Sequence, residues 1–246
     1  MKNEINELIK KYVMLKKEGY IKSHVPYKNG AGITLENLLG SSGADFCIPD
    51  YNGIEIKAIR DYPYAEFDLV NISPDGSHYY PSQWIANNFG YPDKDFKDIK
   101  IFKGNINAVR LTKIGLFYYF KLRIDRTLKK VFIQVFKYNK EFINEDIYWD
   151  FDSIEKKLNQ KLKYLALFNV KKLYSNNSYY YFYEKMNIYT LNNFEYFLNS
   201  LENGKIFVTF KTGVFKSGKY IGHFQDHGTA FRITKNNIES LFKKIY

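Results

Sequence analysis

Asp50, Glu55 and Lys57 are spaced to do chemistry together. They lie in I-P-D-Y-N-G-I-E-I-K, where Asn52-Gly53 is a strong signal for a type I′ turn. The turn predicts a hairpin, with residues 46–48 leading in and 54–60 leading out. Side chains alternate along a strand, so Glu55 and Lys57 share one face while Ile54, Ile56 and Ala58 share the other. Asp50, just before the turn, is close enough across the hairpin to join them. Two carboxylates can hold a hard cation through oxygen. An ammonium beside them can hold a water and stabilise its developing hydroxide. The set suits metal-dependent cleavage of a phosphodiester. The alternative is a surface charge pair on an edge strand.

Spacing alone does not single out this site, because Asp150, Glu155 and Lys157 repeat it in F-D-S-I-E-K-K-L-N-Q-K-L. There Asp152 or Ser153 can cap a helix, and Ile154, Leu158 and Leu162 recur at helical intervals. Residues two apart on a helix point about 200° apart, so Glu155 and Lys157 face away from each other. The second copy reads as a solvated helix surface. The first copy gains from its neighbours. Thr34 can cap a short helix over residues 35–39, ended by Gly40. Leu35, Leu38 and Leu39 would face the core and leave Glu36 on another side, where it could approach the hairpin as a third carboxylate. Its alternative is a first-turn glutamate favoured by the helix dipole.

The elements that must position these groups belong to a chain of 246 residues, 45% of them hydrophobic, which is enough for one large domain or two lobes. The formal net charge of +11 predicts attraction to a polyanion. An acidic membrane fits less well, since no basic amphipathic helix, apolar leader or spanning run is present. Cys47 is the single cysteine, which excludes an internal disulfide and fits a reducing, bacterial cytoplasm; it reads as a small buried apolar residue. Lysine is abundant together with asparagine, isoleucine and tyrosine, so the placement of arginine and histidine is more telling than the lysine count. No zinc-ligand pattern, P-loop, dinucleotide glycine string or nucleophile elbow occurs.

In chain order, residues 2–18 read as an amphipathic helix ended by Gly19, and 20–33 as a loop. A strand over 67–72, a helix over 82–89 and a loop over 90–105 follow. Strands are expected over 106–112, 116–124 and 131–138, and a hairpin over 164–172 and 178–189 through S-N-N-S. A helix over 194–201 and a closing helix over 238–245 complete the set. His78 could carry a proton or touch DNA, although a lone loop histidine usually does neither. Arg123, Arg126, Lys129 and Lys130 form a basic patch or a charged hairpin tip.

A second informative stretch is K-T-G-V-F-K-S-G-K-Y-I-G-H-F-Q-D-H-G-T-A-F-R, which reads as strands broken at its glycines. It gathers Lys211, Lys216, Lys219, His223, Gln225, Asp226, His227 and Arg232. A β-ribbon with such residues can read base edges, arginine pairing with guanine and aspartate accepting from cytosine. The alternative is a polar sheet edge with a satisfied His-Asp pair.

Pro49-Asp50 with Glu55-x-Lys57 resembles the signature of PD-(D/E)XK nucleases. The longer string is Gly32-x-Thr34-Leu35-Glu36-x-Leu38-Leu39-Gly40, then Ile48-Pro49-Asp50-Tyr51-x-Gly53-Ile54-Glu55-Ile56-Lys57. It resembles the MvaI/BcnI group of type II restriction endonucleases, related to the mismatch-repair nickase MutH, and is close enough to point to the group's CCWGG-cutting member itself. Asp226-His227-Gly228-Thr229-x-Phe231-Arg232 resembles a DNA-contacting motif of MutH-like nucleases. The resemblance implies an α/β fold, a mixed sheet flanked by helices, with a β-rich second lobe completing a DNA cleft. The catalytic lobe is expected in about 1–112 and the recognition elements mainly in 113–246. It also implies Mg²⁺, with Mn²⁺ as a substitute, held by Asp50, Glu55 and the Ile56 carbonyl. Lys57 would orient the attacking water and Glu36 would support the site. A monomer would cut double-stranded DNA at a CC-N-GG-type site and leave 5′-phosphates, while a companion methyltransferase protects the host. A MutH-like nickase and a non-catalytic basic nucleic-acid-binding protein are the competing readings.

Overall fold

A computed structural model of the chain describes residues 1–26, 30–40, 48–76 and 78–246. The α/β architecture divides into two compact units, both discontinuous in sequence. The first comprises residues 1–67, 157–192 and 234–246, and the second 68–156 and 193–233. The first unit gathers segments far apart in sequence because the sheet that carries Glu55 and Lys57 recruits strands from far downstream.

The first unit is built on the long antiparallel pair Tyr164–Ser175 and Ser178–Leu191. Asn176 and Asn177 join them at φ 48° and 55°, the two left-handed residues a type I′ turn requires. The strand Glu55–Arg60 runs parallel to Tyr164–Ser175, with Glu55 opposite Leu165 and Lys57 opposite Leu167. Ile21–Lys22 and Phe242–Lys244 pair with Ser178–Leu191. The helices Lys2–Glu18 and Ala31–Leu39 cover this sheet. Leu8, Tyr12 and Leu15 of one and Leu35 and Leu39 of the other share a core with Ile54, Ile56, Phe168 and Tyr183. Burying such a set is the main stabilising term here.

Three expectations change in this unit. Thr34 is not a cap: the helix begins at Ala31, and buried Thr34 accepts the His24 amide through Oγ1 at 3.1 Å. Residues 235–245 form a 3₁₀ turn, Lys235–Ser240, and the strand Phe242–Lys244 rather than a helix, since Ser178–Leu191 offers that segment an edge to pair with. The presumed loop before Ala31 contains the strand Ile21–Lys22. Phe46, Cys47 and the loop lysine Lys28 lie outside the described residues.

The second unit holds the antiparallel pair Tyr118–Asp125 and Lys130–Lys137, edged by Thr112–Ile114, Phe142–Asn144 and Tyr148–Asp150. A further sheet orders Glu66–Asn71, Phe224–Thr234, Ile206–Val214 and Lys103–Ile106. Trp149, Phe210, Phe231 and Phe197 meet edge-on or tilted in its core. The expected strand over 106–112 stops at Ile106, because Asn107 Oδ1 accepts the amides of Val109 and Arg110 at 2.9 and 3.0 Å and turns the chain. The expected loop over 90–105 contains short strands, Tyr91–Pro92 and Lys100–Ile101 paired with each other and Lys103–Ile106 on the larger sheet.

Candidate active site and nucleic-acid interface

The tight turn sets the geometry of the site. Asn52 and Gly53 both take positive φ, 43° and 84°, and Tyr51 and Ile54 exchange main-chain hydrogen bonds of 3.0 and 2.8 Å. That closure places Asp50 beside the strand, where its Oδ2 accepts the Ile56 amide at 2.9 Å. Ile54 and Ile56 are two residues apart, so their main-chain groups point to the same edge. The Ile56 carbonyl therefore faces the Asp50 side rather than the neighbouring strand.

Glu55 is wholly buried. Its Oε1 lies 2.5 Å from Lys57 Nζ and 3.4 Å from Lys161 Nζ. Its Oε2 is buried and has no hydrogen-bond partner among the described residues. Burial pushes the Glu55 carboxyl above its ordinary pKa and Asp50 adds to that, while Lys57 and Lys161 pull it back. Glu36, half-buried, is also raised by burial and then by Asp50, against Lys57 and Lys161. The expected residues Glu36, Asp50, Glu55 and Lys57 thus influence one another within a single unit.

Among the described residues no three Asp, Glu, His or Cys side chains converge tightly enough to cage a metal by themselves. Two carboxylates and a main-chain oxygen remain, and the bare buried Oε2 is what a hard oxygen-seeking cation would satisfy. The chemistry of the donor set fits a hard divalent cation.

The helical copy of the motif behaves as a helix surface. Asp150 ends a strand, with its amide donating to Asp75 at 2.9 Å, and Glu155 is exposed on the helix Phe151–Leu162. The same helix carries Lys161 to Glu55, a contact that spacing gave no means of finding.

The second unit assembles the ribbon. Ile206–Val214 and Phe224–Thr234 pair antiparallel, with Thr212 opposite Asp226 and Gly213 opposite Gln225. Lys211, Lys216, Gln225 and His227 line one cavity of about 670 Å³. Lys211 and Arg232 line another of about 580 Å³ with Lys103, Arg110 and Lys113, three basic residues the sequence did not single out. Asp68 links Lys211 to Arg232, whose Nε stands 2.7 Å from it. Lys216 is tied to Asp93 and, at 3.0 Å, to Asp95. Asp226 folds back on the amide of Gly228 at 2.8 Å, and no pair with His227 is needed to satisfy it. Lys219 and His223 flank the tip, each against Tyr220. His78 stacks on Trp84 at 4.0 Å. The two arginines of the expected basic patch are compensated, Arg123 by Asp125 and Glu145 and Arg126 by Glu195 and Glu202. No helix among the described residues is long and apolar enough to cross a membrane.

Residues 9–242 match the model of the MvaI/BcnI restriction endonuclease family. Among solved structures, the chain is similar to the restriction endonuclease MvaI–cognate DNA substrate complex, with a TM-score of 0.92, 28% identity and coverage of 100% of this chain and 98% of that one. It is also similar to MvaI in the absence of DNA, with a TM-score of 0.65 at the same 28% identity and the same coverage. An identity of 28% makes the chain a relative of MvaI and corrects the expectation that it is that enzyme itself. No curated protein matches significantly.

Proposed function

The chain belongs to the MvaI/BcnI restriction endonuclease family and is a site-specific DNA endonuclease, and on that premise we propose that Glu36, Asp50, Glu55 and Lys57 are its cleavage centre. It cuts both strands of a CC-N-GG-type site as a Mg²⁺-dependent monomer, with Mn²⁺ able to substitute, and leaves 5′-phosphate and 3′-hydroxyl ends. A companion methyltransferase modifies the same site without forming a stable complex. CCWGG is the first sequence to test. One observation carries the reading: Glu55 is buried, anchored by ammonium groups at Oε1, and without a hydrogen-bond partner at Oε2 among the described residues.

Asp50, Glu55 and the Ile56 carbonyl would hold the cation. Bound there, Mg²⁺ would neutralise developing charge on the scissile phosphate and acidify a bound water. Asp50 is held for this task by the Ile56 amide. Lys57 is placed to exchange its contact with Glu55 for the attacking water, directing it in line with the leaving 3′ oxygen and stabilising its negative charge. Glu36 orients the same water or supports the carboxylates. The ribbon residues Lys211, Lys216, Lys219, His223, Gln225, Asp226, His227 and Arg232 contact DNA, joined by Lys103, Arg110 and Lys113 from the shared cavity. Lysines there contact phosphate, while Arg232 is suited to guanine.

The test is to incubate unmethylated plasmid with the protein and either Mg²⁺ or EDTA, then map the ends. Linear products with 5′-phosphates at one sequence are expected with Mg²⁺ alone. Nicks confined to one strand would favour the MutH-like reading, and binding without cleavage in any divalent metal would favour a non-catalytic binder.

A further inference from the structure

Glu55 Oε1 receives two ammonium groups from different parts of the chain. Lys57 comes from its own strand, and Lys161 from the last turn of the helix Phe151–Leu162, 3.4 Å away and 14% exposed. Lys161 also acts electrostatically on Glu36, in opposition to Asp50. The acidic group is therefore served by two lysines, of which only Lys57 belongs to the motif. A buried carboxylate with like-charged neighbours needs counter-charge. A divalent cation and one ammonium balance three carboxylates, which leaves the other ammonium to answer the charge of the scissile phosphate and its attacking water.

We propose that Lys161 is the fixed counter-charge of the cleavage site, a positioning residue that holds Oε1 of Glu55 so that Lys57 can leave it for the attacking water. The inference rests on the reading of Glu36, Asp50, Glu55 and Lys57 as the cleavage centre. Lys161 makes the longer contact but is the more enclosed of the two, 14% exposed against 26% for Lys57. It reaches in from a packed helix whose Ile154, Leu158 and Leu162 are buried. Without Lys161, Lys57 stays bound to the acidic group and cleavage slows. The DNA-free site also becomes more acidic and takes up Mg²⁺ more readily.

The test compares wild type with Lys161→Met, which keeps the aliphatic stem, and Lys161→Arg, which keeps the charge. The first readout is the single-turnover cleavage rate at saturating Mg²⁺ on the site mapped with wild type. The second is the melting temperature of DNA-free protein with and without Mg²⁺. Lys161→Met is expected to cut at least about tenfold more slowly, and Lys161→Arg within about threefold of wild type. The Mg²⁺-induced rise in melting temperature is expected to be larger in Lys161→Met by about 2 °C or more, and unchanged in Lys161→Arg. Lost packing alone would lower the melting temperature without enlarging the Mg²⁺ response. If Lys161→Met fails to fold, Lys161→Gln replaces it. Full-speed cleavage by the charge-deleted variant, or an unchanged Mg²⁺ response, overturns the proposal. If Lys57→Ala also cuts, the cleavage centre itself is misassigned and both readings fall. If Lys57→Ala is dead while Lys161→Met cuts at full rate, only the role of Lys161 falls.

Discussion

Glu55 is a carboxylate folded completely out of water, and such a group is costly unless its partners are exact in place. Its two ammonium contacts satisfy one oxygen, and the other has no hydrogen-bond partner among the described residues. Replacing Lys57 with Ala should lower cleavage by about a thousandfold or more while duplex binding persists, because the lost ammonium acts mainly on charge that develops in the transition state. Cleavage assays beside binding in Ca²⁺ separate the two effects, and retained cleavage would sink the mechanism. Asp93 offers a test unrelated to catalysis. The Lys216 ammonium beside it holds its carboxyl down to about 2. A depressed folded pKa adds stability above the unfolded value near about 3.9 and loses it as pH falls toward that of the folded state. Melting temperature followed from pH 5 to 2 should drop more steeply in wild type than in Asp93→Asn. Equal slopes would show that the ion pair contributes nothing. Glu55 and Lys57 could be put side by side from the sequence because strand alternation places residues two apart on one face, and the strand setting separates them from the helical copy at Asp150, Glu155 and Lys157. The partner of Lys211 and Arg232 was not, since Asp68 lies far from both in sequence.

At the scale of elements, the turn was readable because it is a local object, whereas the expected strand leading into it is not seen: Ile48 is in no strand, residues 46–47 lie outside the described residues, and Glu55–Arg60 pairs in parallel with Tyr164–Ser175 instead. Asn52-Gly53 adopts the left-handed pair that the dipeptide favours, with Gly53 at φ 84°. Gly53→Ala forces a Cβ into that region and should cost about 1–2 kcal/mol. It would also displace Asp50 from the Ile56 amide. Chemical denaturation should report the first effect and a lowered cleavage rate the second; a variant as stable and as active as wild type would show that the turn does not set the site. Thr34 misled for an instructive reason. Threonine favours helix starts because its hydroxyl can accept an amide, and here it accepts one, but from His24 of the preceding segment rather than from its own helix. The closing segment was misread because apolar spacing over a few residues does not tell a short helix from a turn and a strand. The available edge of Ser178–Leu191 decided it.

For the whole molecule, the net charge of +11 is the broadest property tied to a DNA substrate. Binding should weaken as salt rises, with a log–log slope of roughly −4 to −8 if several phosphates are contacted. Lys103→Ala should reduce that slope by about one unit and leave site preference unchanged, as expected of a phosphate contact. A slope near zero in wild type would argue against electrostatic docking. The charge is not spread as the sequence suggested, since Arg123 and Arg126 are neutralised by acidic neighbours. What the sequence determined by itself was local: the turn, the alternation that puts Glu55 beside Lys57, and the family string around them. Those features depend on residues within a few positions of one another. Only the tertiary structure decided that Lys161 reaches Glu55, that Asp68 joins Lys211 to Arg232, and that Lys103, Arg110 and Lys113 line a cavity with them. Those contacts depend on how strands and helices distant in sequence come together, and no short-range pattern encodes that register.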